Sequence, residues 1–370
     1  MSSSNFANCL FIGLLFYVAG FGQATIDASK TLDEYQQNQE KLCRQQTISG
    51  NRTYSFRQLP RATQDDGAYG KKSWLRKLLP FLKSPTDKYG IDDIRTLKDK
   101  FGRPAPIGES KRSQEIRLKI EQNFAGFEQK VKLPKFDWRE NGIDAGAVGS
   151  QGFACNTCWA FATIDALQIN RQLLAIREKR EFTQESMPSA RQLVSCMVKK
   201  TEEFCENNWH GEAFSFMVDK GMPLGGSTKY KAREYTTWDC DADDYVKALT
   251  WDFVSSTPQK IASNEEIKRA VILYGSVVSM LSFDNCYWLY GGGVFNEEKY
   301  KNGSHFVVII GWDDEKGAWL VKNSYGTDWG ENGFGWIRYG SNNIGQWSAF
   351  VVADPKEEER IAKKIKESEK

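Results

Sequence analysis

Apolar positions fall into two regimes along this 370-residue chain. From Cys158 the run "CWAFATIDALQINRQLLAI" continues without proline or glycine, and Phe161, Ile164, Leu167 and Leu174 recur on one face. That spacing predicts a buried helix beginning at the cysteine. In the last third the period shortens. "HFVVIIGW", "AWLVKNSY" and "FGWIRYG" read as strands separated by "DDEKG" and "GTDWGENG", which are turn compositions. Helical runs followed by strands predict an α+β fold with a helix-rich half facing a sheet-rich half.

Near residue 133 the composition shifts from polar and basic to rich in glycine, tryptophan and β-type runs, which marks a domain boundary. Upstream, "KKSWLRKLLPFLK" sets Trp74, Leu75, Leu78 and Leu79 at helical spacing until Pro80, and "SQEIRLKIEQNFAGFEQ" is a second amphipathic helix candidate. Both are expected to dock on the downstream half; solvated or membrane-surface helices are the alternative. The tail from residue 355, "PKEEERIAKKIKESEK", is charged almost throughout, with Glu359 and Lys363 four apart, and reads as a frayed, solvated helix without a function.

Residues 9–22, "CLFIGLLFYVAGFG", are too short for a comfortable membrane span and lead into Gly22-Gln23-Ala24, a small-x-small cleavage pattern. The segment 1–24 therefore reads as a signal peptide. A retained anchor competes, because "MSSSNFAN" has no lysine or arginine. With 50 basic against 48 acidic residues, the net charge of +2 gives no reason to expect nucleic acid as a partner. Export would let disulfides persist among the eight cysteines. Sequons at Asn51 and Asn302 could carry glycans in a host that attaches them.

The chemistry concentrates in "QGFACNTCWAF", where Cys155 and Cys158 lie three apart. A zinc clip would need a second pair of ligands, and no other C-x-x-C exists. A dithiol redox couple gains from a cysteine at a helix N-terminus, where the thiol loses its proton more easily, but the βαβ setting of such couples is missing. A nucleophile needs a base and a group to orient that base. The chain has two histidines, His210 and His305. His305 opens an apolar strand, and Asn323 ends another, followed by Trp329 and Gly330 as cover for an Asn–His hydrogen bond.

"QGFACNTCWAF", "GSHFVVIIGWDD" and "WLVKNSYGTDWGENGFGWIRYG", in that order, resemble the papain-like cysteine peptidases, with the histidine and asparagine 147 and 165 residues beyond Cys158. The likeness spans roughly residues 134–354. It implies a papain-like two-subdomain α+β fold, helix-rich on one side and antiparallel β-barrel-like on the other, with the cleft between. It implies Cys158 as the thiolate nucleophile, His305 as its imidazolium partner and later proton donor, and Asn323 as orienter of the ring. Gln151 would join the backbone N–H of Cys158 as oxyanion donor, across a loop one residue longer than usual. Asn156 and Thr157 replace a small pair, tolerable because asparagine accepts left-handed geometry and threonine can cap.

The same resemblance implies Cys155–Cys205 and Cys196–Cys240 bridges. It puts Asn207 and Asn208 where glycines usually pair with substrate backbone, and Trp209 and His210 on the wall of the pocket for the residue one before the scissile one. Ser304 joins them as a substrate-binding candidate, and Tyr325 keeps an aromatic shield where relatives have tryptophan. Cys43 and Cys286 stay unassigned: paired with each other, free, or bonded elsewhere. The implied protein is a monomeric zymogen, secreted or lysosomal, vacuolar or periplasmic according to host. Residues 25–132 would be its inhibitory pro-segment, 133–354 the catalytic domain and 355–370 the tail. Its substrates would be polypeptides, with no metal or organic cofactor and no membrane attachment once the leader is cut. An inactive binding relative and an exopeptidase variant are the alternatives.

Overall fold

The computed structural model describes residues 41, 43, 53–56 and 111–368, apart from 123, 125, 153–154, 181, 183–187, 199–204, 206–207, 224–239, 241–244, 257, 284 and 298–302. The leader, the helix candidate at 71–83, the sequon asparagines Asn51 and Asn302, and Asn207 lie outside the described residues. The helices are α1 (Lys111–Gln122), α2 (Phe127–Val131), α3 (Cys158–Glu178), α4 (Ala190–Met197), α5 (His210–Asp219), α6 (Asn264–Tyr274) and α7 (Pro355–Ser368). Two start at capping boxes, Ser189 with Gln192 and Ser263 with Glu266, each pair satisfying backbone donors that the first turn leaves open.

Strands run as β1 (Thr53–Phe56), β2 (Lys135–Asp137), β3 (Met222–Pro223), β4 (Tyr245–Val246), β5 (Ala248–Phe253), β6 (Val277–Phe283), β7 (Tyr290–Phe295), β8 (Gly303–Asp313), β9 (Ala318–Lys322), β10 (Phe334–Arg338) and β11 (Gln346–Ala353). Among the described residues, nine of them form one sheet in the order β1-β7-β10-β9-β8-β6-β11-β5, with β2 also on β8. Its pairings are antiparallel except for β7 with β10. A short 3-10 helix, Asn285–Leu289, leads into β7. β3 and β4 make a separate two-stranded piece.

Helix α3 lies where the periodicity predicts it, but its burial is not confined to one stripe. Trp159, Ala160, Thr163, Ala166, Leu167 and Ile169 are all sealed together with Phe161, Ile164 and Leu174. A helix buried nearly all round is a core helix, and α3 packs against the sheet at β8 and β11 on one side and against α4 and α5 on another. It ends at Lys179, whose positive φ of 52° closes the last turn.

The predicted amphipathic helix over 113–129 is two helices, because Gly126 adopts a left-handed φ of 74° between α1 and α2. It does dock. Phe127 and Val131 are buried, the Tyr274 hydroxyl donates to Glu121 at 3.1 Å, and Arg177 lies over the Phe124 ring. Arg177 is in the last turn of α3, so at about 1.5 Å per residue this contact sits roughly 28 Å along the helix from Cys158.

The tail differs from its expected solvated state. It is helical, but Glu358 is buried in an ion pair with Arg171 of α3 (Nε to Oε1, 2.6 Å), and Ile361 is buried too. Arg360 donates to the Tyr245 carbonyl, and Lys363 pairs with Glu367. A charged pattern exposes most of a helix while leaving a few positions to dock, and composition alone does not separate the two.

Candidate active site

Cys158 starts α3, and among the described residues it is the cysteine outside any disulfide. Cys155, three residues earlier, is bonded to Cys205, and the Asn156 N–H donates to the Cys205 carbonyl at 3.0 Å. Cys196 is bonded to Cys240. The turn before the helix is thus pinned on both sides. Thr157, the residue before the helix, makes no side-chain cap, and Asn156 is not among the residues with positive φ, so neither plays the local part expected of it.

His305 lies near the start of β8, opposite Leu281 of β6. Asn323 follows the end of β9 directly. The Asn323 Oδ1 accepts from the Ser324 backbone N–H at 2.8 Å, which identifies that atom as the oxygen. The same oxygen accepts from His305 Nε2 at 2.6 Å, so Nε2 carries a proton and Nδ1 is left for chemistry. Lys322, one residue before, is fully buried and donates to Asp165 of α3 at 2.8 Å and to the Ala145 carbonyl. This ion pair ties the strand end that presents Asn323 to the helix that presents Cys158.

Tyr325 covers the imidazole, its ring 4.5 Å from that of His305. Two aromatics that the sequence did not single out complete the cover. Trp288 stacks on Tyr325 at 3.8 Å, and Tyr287 meets both His305 and Tyr325 at 5.9 Å. Trp329 stands behind them, donating its indole N–H to the Tyr287 carbonyl, and touches Tyr287 and Tyr325. Gly330 makes that loop possible: φ is 59° and a Cβ there would collide with the Phe334 carbonyl oxygen. The cluster "NCYWLYGGG" is dense in aromatics, but a 3-10 helix has no long period by which to recognise it.

Gln151 is held from two sides. Its backbone N–H donates to the Ser324 carbonyl at 2.9 Å, and its Oε1 accepts from the Ser324 hydroxyl at 2.6 Å. Its amide N–H donates to the Cys155 carbonyl at 2.6 Å. Gln151 is therefore clamped between the residue after Asn323 and the turn before Cys158. One of its two amide hydrogens is engaged by Cys155.

Asn208 is half-buried and accepts the Trp209 backbone N–H at 2.8 Å. Trp209 lies over Gly211, where any Cβ would strike the indole. His210 is fully buried, 4.8 Å from Phe306 and ringed by Trp209, Trp251 and Phe253. Ser304 is half-buried and pairs with Ser282 across β6.

Burial dominates the electrostatics. It pushes the Cys158 thiol up to about 11, against hydrogen bonding from the backbone of Phe306, Trp159 and Cys158. The thiol therefore lies beside the residue that follows His305. Burial lowers His305 to about 4, against the Asn323 hydrogen bond. A helix N-terminus favours a thiolate by at most about 2 kcal/mol, and burial pulls the other way.

A buried thiol at a helix start and an oriented imidazole on a strand are thus joined through their supports on an α+β fold. The family model described as "Papain family cysteine protease" matches residues 133–353. The chain belongs to that family. It is 32% identical over 225 residues to a cathepsin L of Sarcophaga peregrina, covering 58% of this chain and 61% of that protein. A cathepsin S of Bos taurus is also 32% identical, over 219 residues, covering 57% and 61%. The chain thus spans about three fifths of the length of these relatives. Among solved structures, a digestive procathepsin L2 proteinase from Tenebrio molitor larval midgut overlays 92% of this chain and 98% of its own, with a TM-score of 0.56 and 18% identity. At that identity the likeness concerns the fold.

Proposed function

We propose that this chain is a cysteine endopeptidase made as a secreted zymogen and acting on polypeptides. The observation that carries the reading is the His305 Nε2–H bond to Asn323, which leaves Nδ1 of a buried, ring-clamped imidazole for the thiol at the start of α3. In the reaction, the proton moves from Cys158 to His305 and sulfur attacks the peptide carbonyl carbon. The carbonyl π pair moves onto oxygen, where the Cys158 backbone N–H and the second amide hydrogen of Gln151 receive it. As the tetrahedral centre collapses, the C–N bond breaks and His305 gives its proton to the departing amine. Water, deprotonated by His305, then splits the thioester and restores the thiol.

A thiol pushed up by burial suits a zymogen, since a protonated sulfur is a poor nucleophile. Residues 1–24 act as the leader and 25–132 as the pro-segment, and three disulfides fit an oxidising compartment. Asn208, Trp209, His210 and Ser304 remain the candidates for contacting substrate, together with Asn207. A non-catalytic binder would have no use for an intact set of Gln151, Cys158, His305 and Asn323. The test is hydrolysis of a fluorogenic dipeptide carrying phenylalanine before arginine, after acidification with mild reductant. Turnover that disappears in Cys158→Ala is expected. Equal turnover by both proteins, or silence from a chain already trimmed near residue 133, would overturn the assignment.

A further inference from the structure

The upstream segment is attached to the catalytic half in a way that peptide-bond cleavage cannot undo. Cys43 is disulfide-bonded to Cys286, which lies 243 residues later in the 3-10 helix leading into β7. Both cysteines are buried, and with Leu289 they form a small apolar cluster apart from the main core. A few residues on, β1 adds to the free edge of β7, with Thr53 opposite Val294 and Tyr54 opposite Gly293. The Tyr54 ring is buried against Phe295 at 4.8 Å and Tyr290 at 6.4 Å. One covalent and one β-sheet attachment thus hold the same stretch.

Both attachments bracket the element that roofs the catalytic histidine. Cys286 is followed by Tyr287, which meets His305, and by Trp288, which stacks on Tyr325. His305 protonates the departing amine, so the substrate half that leaves passes this side of the site. We infer that the stretch from Cys43 to Phe56 stays on the mature enzyme as a disulfide-linked small chain, and that Cys43 with Thr53–Phe56 forms the rim that the leaving half of a polypeptide must pass. The inference rests on the peptidase reading for its kinetic consequence, but retention itself does not. A pro-segment held only by noncovalent contacts would diffuse away once cut; this one remains while Cys43–Cys286 is oxidised.

Retention is tested in a full chain carrying Cys158→Ala and a site-specific protease sequence inserted within residues 57–110, so that no activity of its own is needed. After cutting, denaturing mass spectrometry without reductant should give one species holding both polypeptides, and reductant should split it. Separation without reductant would overturn the tether. The rim is tested in the same cut chain with Cys158 restored. Two substrates share one acyl half; one leaves as a small fluorophore, the other as a four-residue peptide. Releasing the small chain through Cys43→Ser should leave kcat/KM for the fluorophore within about twofold and change it for the extended peptide by at least about fivefold. Tyr54→Asp, which keeps the disulfide but puts a charge into the β1 contact, should move the ratio the same way. Parallel changes on both substrates, in either variant, would overturn the rim.

Discussion

At the scale of single residues, burial decides protonation in this molecule. A thiol at about 11 instead of its ordinary 9.0 carries about 100-fold less thiolate at neutral pH. In the intact chain, alkylation of Cys158 by iodoacetamide should therefore be slow at pH 7 and rise about tenfold per pH unit to near 11. Mass spectrometry of the modified peptide reads this, and a rate already flat from pH 5 would mean a preformed ion pair. His210 poses the converse problem. Burial within its aromatic cage lowers it to about 3. Its folded pKa lies below the unfolded value of 6.5, so the unfolded state binds more protons between the two. Stability is whole above pH 6.5 and falls as pH drops toward 3, at about 1.4 kcal/mol per unit. His210→Phe should remove its own share of that slope in urea midpoints measured across pH and leave the share of His305; an unchanged slope would assign the acid sensitivity to other groups. His305, lowered to about 4, adds a smaller fall in the same direction.

Elements were legible in the sequence wherever one period ran long enough. α3 and the strands β8, β9 and β10 stand where the apolar runs predict them, because burial on both sides of a core element leaves an uninterrupted hydrophobic record. Of the site, the motif residues stand out, but what fixes them does not. The clamp on Gln151 runs through Ser324, 173 positions away, and the Lys322–Asp165 pair spans 157. Neither separation leaves a local pattern. The same holds for α7, whose charges read as solvated although Glu358 reaches Arg171 across 187 positions. That pair is sealed, at 1% and 3% side-chain exposure, so breaking one member strands a buried charge. Glu358→Gln should cost about 3–5 kcal/mol, and the double change Arg171→Met with Glu358→Leu should cost clearly less. Chemical denaturation of the three proteins makes the comparison. A double variant no more stable than the single one would mean that the attraction of the pair itself, and not a stranded charge, sets the cost.

At the scale of the whole molecule, the upstream segment contributes to the fold at two distant places. β1 and Cys43 close one edge of the sheet next to the Tyr287 and Trp288 cover of His305, while α1, Phe124 and α2 cover α6 and the far end of α3. A chain beginning at residue 133 would lose both. It would expose the β7 edge with its glycines and leave Tyr290 and Phe295 without Tyr54, a combination that invites pairing with another copy. Cys286 would lose its partner in an oxidising medium. Phe127 and Val131 would also leave the core, and burying such side chains is worth about 1.5–3 kcal/mol each. At about 2–4 °C per kcal/mol for a domain of this size, the truncated chain should melt roughly 10 °C or more below the full one. It should also form disulfide-linked dimers through Cys286, which non-reducing electrophoresis would detect and Cys286→Ser would abolish. Equal melting temperatures would mean that the segment merely lies on the catalytic half. The expected loss instead makes the segment part of that half, closing the sheet at β7.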